Sequence, residues 1–170
     1  RHAHLFVVAK PVVPTSPSML QERLGAEWQA WIRSNIVDGP MLNLFSPDLP
    51  NNAVDVVRRP DGWAATSRYI KPDRTVDVDA LEDYLLELEV DEDGGLSLFC
   101  GRASDSLSNS KVRWTFEVLI AGLTWRVLRA AGLVADETGY FGNWEFGVAI
   151  ANAHGIASHE VHQRSRWADP

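Results

Sequence analysis

A chain of 170 residues, 45% hydrophobic and 23% charged, fits one folded domain with room for a substantial core. Its formal net charge of -7 weighs against a dedicated nucleic-acid-binding module, which needs clustered Lys and Arg to meet phosphates. A single cysteine, Cys100, excludes an internal disulfide and fits a reducing, cytoplasmic compartment.

The acidity is local: residues 73–93 hold ten carboxylates against one base, Arg74, and the remainder of the chain sums to +2. No apolar run reaches the ~18 residues a membrane span needs, and no signal peptide is visible. Residues 1–170 are read as a single domain. A start at Arg1, almost directly in a strand, leads us to expect the C-terminal part of a larger protein.

Residues 4–9 form a short β-branched apolar run closed by Lys10 and Pro11, which predicts a strand. Ser16 before Pro17 is a helix start, and Leu20, Leu24, Trp28, Trp31, Ile32 and Ile36 keep a helical period. Gly25 divides this helix, since a mid-helix glycine costs about 1 kcal/mol relative to alanine, and Asp38-Gly39-Pro40 ends it. Residues 42–52 are irregular in pattern. Residues 53–57 and 63–69 flank Arg58-Arg59-Pro60-Asp61-Gly62, a hairpin turn, and Lys71-Pro72-Asp73 is a further turn. Asp79 and Glu82 have capping-box spacing and predict one helical turn.

From Leu86 the pattern alternates cleanly, with Leu86, Leu88 and Val90 on one face and Glu87 and Glu89 on the other. Asp91-Glu92-Asp93-Gly94-Gly95 turns the chain, and residues 96–100 return as the partner strand. A polar loop is predicted over 102–110, with Asn109 or Ser110 capping the next helix. That helix, over 111–134, carries two apolar stripes. Val112, Phe116, Leu119, Ile120, Leu123, Val127 and Ala130 form one, and Trp114, Val118, Ala121, Trp125 and Leu128 form the other. Residues 143–153 have strand character, interrupted at Gly147. The fold class is therefore α+β: two layers, an antiparallel-rich sheet of about five to six strands packed with two main helices.

A helix with two apolar sides is covered twice. Leu24, Trp28, Trp31 and Ile32 have no better place to bury than the second stripe, so a monomer is favoured over a homodimer. If the helix over 16–36 packs elsewhere, Trp114, Val118, Trp125 and Leu128 become interface candidates for another chain or for an N-terminal domain of the same protein.

Motifs for chemistry are sparse. His154, His159 and His162 cluster near the end, and His2 and His4 share a strand face, but no ligand spacing such as H-E-x-x-H is present, and no metal or cofactor is expected. Glu89, Asp91, Asp93 and Gly94 imitate half of a calcium loop whose twelfth position falls on Cys100, leaving a solvated hairpin tip as the expected reading. Cys100 alternates with core leucines and reads as a small buried hydrophobe. Arg58, Arg59, Arg68 and Lys71 read as a solvated edge, so neither nucleic acid nor membrane is an expected partner. The seven tryptophans suggest a core and an interface more than a ligand cage. A small-molecule-binding or hydrolytic domain with a pocket between sheet and helices is the alternative, with Trp144, Arg102 and His154 as its ligand candidates.

Leu96-Ser97-Leu98-Phe99-Cys100-Gly101-Arg102 after the acidic turn, and Gly142-Asn143-Trp144 before the last strand, resemble the C-terminal region of actinobacterial ATP-binding proteins of the Schlafen AlbA type. Residues 4–11 and the Trp28-x-x-Trp31-Ile32 helix are similar as well. The resemblance covers most of the chain, but the AlbA-like domain of that family lies N-terminal to this region. No catalytic or ATP-binding residue carries over. The resemblance implies an appended sensory or regulatory domain; together with the two-sided helix and the start at Arg1, the expected function is a non-catalytic regulatory, sensory or protein-interaction module of a larger bacterial ATP-binding protein.

Overall fold

The structure, a computed structural model, describes residues 2–39, 54–68, 81–83, 85–106, 112–161 and 163. Six strands form one sheet: β1 (His4–Pro11), β2 (Val54–Arg59), β3 (Gly62–Arg68), β4 (Leu85–Asp91), β5 (Leu96–Cys100) and, last in the chain, β8 (Trp144–Ala151). Their spatial order is β2-β3-β4-β5-β1-β8, and every pairing is antiparallel. Two tight hairpins, at Pro60-Asp61 and at Glu92 to Gly94, make β2-β3 and β4-β5 neighbours. The N-terminal strand then inserts between β5 and β8.

Alternation selects the buried side. Leu5, Val7 and Ala9 of β1, Leu86, Leu88 and Val90 of β4, and Leu96, Leu98 and Cys100 of β5 are all buried, as period-two patterning requires when one face meets a core. Glu87 and Glu89 stand on the opposite face and are partly exposed.

The helical layer lies on that buried side. Residues 19–37 form α1 (Met19–Leu24), a 3-10 turn at Gly25–Glu27, α2 (Trp28–Ile32) and a wider π-type turn over Arg33–Val37. Gly25 does divide the segment. The helix begins at Met19, two residues beyond the predicted first position, with Ser18 at its N-cap; the Ser16 hydroxyl accepts from the Ser18 N–H (3.2 Å) and donates to Glu22 (2.6 Å). α2 sits over β2 and β3, and α1 sits beside the long α3 (Glu117–Thr138), which lies over β1 and β5. The β4-β5 turn is docked beneath them: the Leu20 N–H donates to the Glu92 carbonyl at 3.0 Å. Gly94 at its tip has φ +83°, and a Cβ there would stand 2.2 Å from the Met19 methyl. Only glycine meets both demands.

Three expectations are corrected. First, α3 begins at Glu117 and runs through Thr138, where 111–134 was predicted. Residues 113–115 instead form β7 (Arg113–Thr115), which pairs with β6 (Ser104–Ser106) and with β9 (Ala157–Ser158) in a small second sheet. Val112, Trp114 and Phe116 alternate as well as they fit a wheel, and tertiary pairing decides between the two. Second, the predicted loop over 102–110 therefore contains a strand. Third, the segment over 16–36 does not cover the second stripe of α3. It breaks into pieces too short to run along a 22-residue helix, and it buries Trp28 and Ile32 over β2 and β3 instead.

By length and composition α3 is apolar enough to cross a bilayer, where no run of that length was expected. Its Leu123, Val127, Ala130, Ala131 and Val134 are buried in the domain core. The predicted single turn is present at 81–83. The expectations for 42–52, for Lys71-Pro72-Asp73, for the capping role of Asp79 and for caps at Asn109 or Ser110 lie outside the described residues.

Candidate functional site

The sheet is wider than the helices above it. The register Leu5↔Ile150, Val7↔Val148 and Ala9↔Phe146 places those three β8 residues on the same face as the core. Under α3, Leu5, Val7 and Ala9 are at most 1% exposed, whereas one strand further out Phe146, Val148 and Ile150 are 49%, 52% and 42% exposed. A helix about 10 Å wide covers roughly two strands spaced about 4.8 Å apart. The α1–α2 segment and α3 together are therefore too narrow for six strands, and the terminal strand keeps an apolar face without a roof.

α3 adds a wall to this shelf. Glu137 accepts the Trp31 indole N–H at 3.1 Å and pairs with Arg23 at 3.2 Å, so it marks the flank facing α1 and α2. Leu128 lies nine residues earlier, about half a turn around the axis, and so projects from the opposite flank, beside β8. Trp125 and Ala121 continue the same stripe at helical spacing. Trp125 is 61% exposed and Val118 74% exposed. Phe141, in the connection from α3 to β8, is almost wholly exposed.

β8 is also the end of the sheet, with backbone groups on one side unused by any described strand. Between Trp144 and Ala151 its only ionisable side chain is Glu145. The other end is guarded differently. β2 carries Asp55, Arg58 and Arg59, charges of the kind that block edge pairing.

Of the four interface candidates, Leu128 lies on this flank, while exposed Trp125 and Val118 stand on the side of α3 turned away from the sheet, Trp125 half a turn from buried Val134. Trp114 is elsewhere: it is half-buried in β7, edge-to-face with His159 at 6.4 Å. The sequence signalled the α3 stripe but not its β8 counterpart, because alternation in β8 resembles that of any half-covered strand. The shortage of helix for six strands was the available clue.

The ligand candidates do not form one site: Arg102 and His154 follow strands at the His4 end of β1, and Trp144 lies at the other end. Trp144 pairs with Pro11 at one end of β1, where it packs edge-to-face on Tyr140 (5.8 Å) and stacks on Phe146 (6.3 Å). Arg102 follows β5 at the other end of β1, seven residues and about 23 Å away, and forms an ion pair with Asp105. His154 lies in the exposed turn after β8.

Other polar groups are engaged within the fold. His4 Nε2 donates to buried Asp83 at 2.9 Å, His2 bonds the Ser104 carbonyl, and the Ser104 hydroxyl accepts the Ala3 N–H at 2.7 Å. Burial holds the His2 imidazole below its usual range, and nearby Arg102 acts in the same direction. Arg58 pairs with Glu92 at 2.8 Å and Arg59 with Glu87 at 2.5 Å, so neither faces solvent as a free phosphate-binding cation. Among the described residues no group of three or more His, Cys, Asp or Glu is placed to hold a metal ion.

The acidic turn is more enclosed than a solvated tip. It lines an open cleft of about 590 Å³ against Lys10 and residues 14–17. Lys10 pairs with Asp93 at 2.9 Å, which holds its amine above the usual range. Burial, with Glu89 and Asp93 adding repulsion, pushes Asp91 up to about 6. The folded state therefore binds a proton that the unfolded chain, with a carboxylate near 3.8, has released. Stability carried by Asp91 is full below the unfolded value and is lost as pH rises from about 4 to 6. Asp91→Asn should raise stability at pH 7 by about 1 kcal/mol, discounted for partial solvent screening, and flatten the loss between pH 4 and 6. Urea melts across that range check both.

No family model matches the chain, and neither a curated protein nor a solved structure matches it.

Proposed function

We propose that the domain is a non-catalytic protein-interaction module of a larger bacterial ATP-binding protein. One observation carries this reading: β8 exposes Phe146, Val148 and Ile150 beside an edge that no described strand pairs, and α3 exposes Val118, Trp125 and Leu128. Exposed Trp, Phe, Ile, Leu and Val side chains have a hydration cost that burial by a partner removes, and concentrations of them mark association sites. The dispersal of Trp144, Arg102 and His154 gives the alternative pocket reading no support. The resemblance of residues 96–102 and 142–144 to Schlafen AlbA-type proteins is the ground for the larger context.

The face should be dispensable for folding of the single domain. Trp125→Glu and Val148→Lys, each in dilute solution, are expected to keep the circular dichroism spectrum and to shift the urea midpoint by no more than about 0.5 kcal/mol in stability, as surface changes do. A loss of about 2 kcal/mol or more at both positions would make the face part of the core and remove the basis for the reading.

A further inference from the structure

We infer that the occupant of this face is a second copy of the chain, joined through β8 so that two six-stranded sheets become one. The inference rests on the interaction-module reading and names its partner. An antiparallel edge strand is its own complement: a two-fold axis normal to the sheet lays β8 of one copy against β8 of the other, in opposite directions. Residues paired across that axis share a face. Phe146, Val148 and Ile150 are two apart and lie on the α3 side. An axis through Val148 or through Ala149 therefore matches inner face to inner face and sets both α3 helices on one side of the joined sheet. An axis between the two residues would set inner-face side chains opposite outer-face ones, which the pleat of an antiparallel ladder does not allow.

In the favoured arrangement the Leu128 flanks of the two α3 helices face each other across the paired β8 strands, whose Phe146, Val148 and Ile150 fill the space between them. The exposed parts of Leu128, Phe146, Val148 and Ile150 amount to roughly 350 Å² per copy, and the pairing of the two β8 backbones adds to this toward the ~800 Å² per partner of a stable interface. Charge agrees. Glu145 lies three residues from Val148, so the two carboxylates stand at opposite ends of the junction rather than facing each other. The charged β2 edge resists head-to-tail pairing, which would otherwise build open filaments.

A lipid surface would cover the apolar side chains but would leave the edge N–H and C=O groups of β8 without partners. A second strand satisfies both. For that reason a copy of the chain is favoured over a bilayer.

Light scattering on the wild-type chain across micromolar concentrations should give twice 18.9 kDa, and Val148→Lys should return it to the single-chain mass. The lysine puts two ammonium groups beside the axis, and a rise of at least about tenfold in the dissociation constant is expected. Location is read by a short-spacer bismaleimide: Ala149→Cys should be linked into dimers, whereas Asp55→Cys on the opposite edge should not. Buried Cys100 serves as the unreactive background. Wild-type protein that stays at 18.9 kDa at every concentration overturns the dimer, as does a dimer linked through Asp55→Cys and not through Ala149→Cys. Monomer that floats with phosphatidylcholine–phosphatidylglycerol vesicles overturns it in favour of a membrane. In each of these cases, unchanged melts of Trp125→Glu and Val148→Lys leave the interaction-module reading standing with another partner, and strongly lowered melts of both remove it too.

Discussion

Replacing Trp28 with alanine should cost about 3 to 5 kcal/mol of folding stability, the range for deleting a large aromatic from a packed core. Trp28 is wholly buried at the start of α2, where it closes the space between the helical layer and the β2-β3 end of the sheet. The Arg58 guanidinium stands 5.7 Å from its ring and 5.8 Å from that of Trp63. Glu92 and the Gly62 carbonyl hold the guanidinium there, at 2.8 and 3.0 Å. The substitution therefore opens a cavity and also removes an aromatic face from a cation whose position is already set. Against a total of about 5 to 15 kcal/mol for a natural domain, this is a large share. The melting temperature should fall by about 10 °C or more for a chain of this size.

Trp28→Phe separates the two contributions. The Trp28 indole N–H is buried with no hydrogen-bond partner among the described residues, so phenylalanine forfeits volume but relieves an unmet donor. Its expected cost is about half that of alanine or less. Trp125→Ala is the contrast, because an indole that is 61% exposed leaves no cavity. In dilute solution its cost should be under about 1 kcal/mol. Urea melts of the three variants order these effects, and a Trp28→Ala loss below 1 kcal/mol would contradict the packing described.

That contrast also shows what the sequence could reveal. Both tryptophans sit at apolar positions of helical periods, and periodicity alone gave each a covered side. Which one is covered depends on the path of residues 19–37. That path is set by a break at Gly25 and by the area available over β2 and β3, neither of which enters a wheel. The hairpins were legible because turn residues separate alternating runs, and alternation fixes the buried faces; Gly94 does take a positive φ, but the positive φ expected of Gly62 is absent, and that glycine instead opens β3 where a Cβ would meet the Val90 carbonyl. The early start assigned to α3 was not correctable locally. Val112, Trp114 and Phe116 suit a strand as well as a helix, and only the distant partners Asp105 and Ala157 settle the choice. The apolar stripe through Val118, Trp125 and Leu128 was visible in the sequence, while the matching face of β8 needed the strand order. Nothing in residues 144–151 announces that they end the sheet.

Gly101→Ala should be the most damaging small substitution in the domain, with an expected cost of about 3 kcal/mol or more. The residue follows β5, and its N–H donates to the Leu85 carbonyl at 2.9 Å. A Cβ there would lie 1.6 Å from the Glu82 carbonyl oxygen and 2.6 Å from its carbon, a clash of side chain with backbone that no rotamer relieves. The turn at 81–83 must move away, and Asp83 moves with it. Asp83 holds His4 at 2.9 Å in a site where both side chains are about nine-tenths buried. Separating a buried polar pair without replacing either partner costs roughly 3 to 5 kcal/mol. Asp83→Ala should approach the same loss by a direct route. Asp83→Asn, which keeps an oxygen to accept from the imidazole, should cost clearly less. If the glycine acts through this turn, Gly101→Ala combined with Asp83→Ala will cost about 1 kcal/mol or more below the sum of the two, because the same contact cannot be lost twice. Denaturant melts of the four variants complete the cycle. Strict additivity, or a Gly101→Ala protein within 0.5 kcal/mol of wild type, would show that the turn yields without releasing His4.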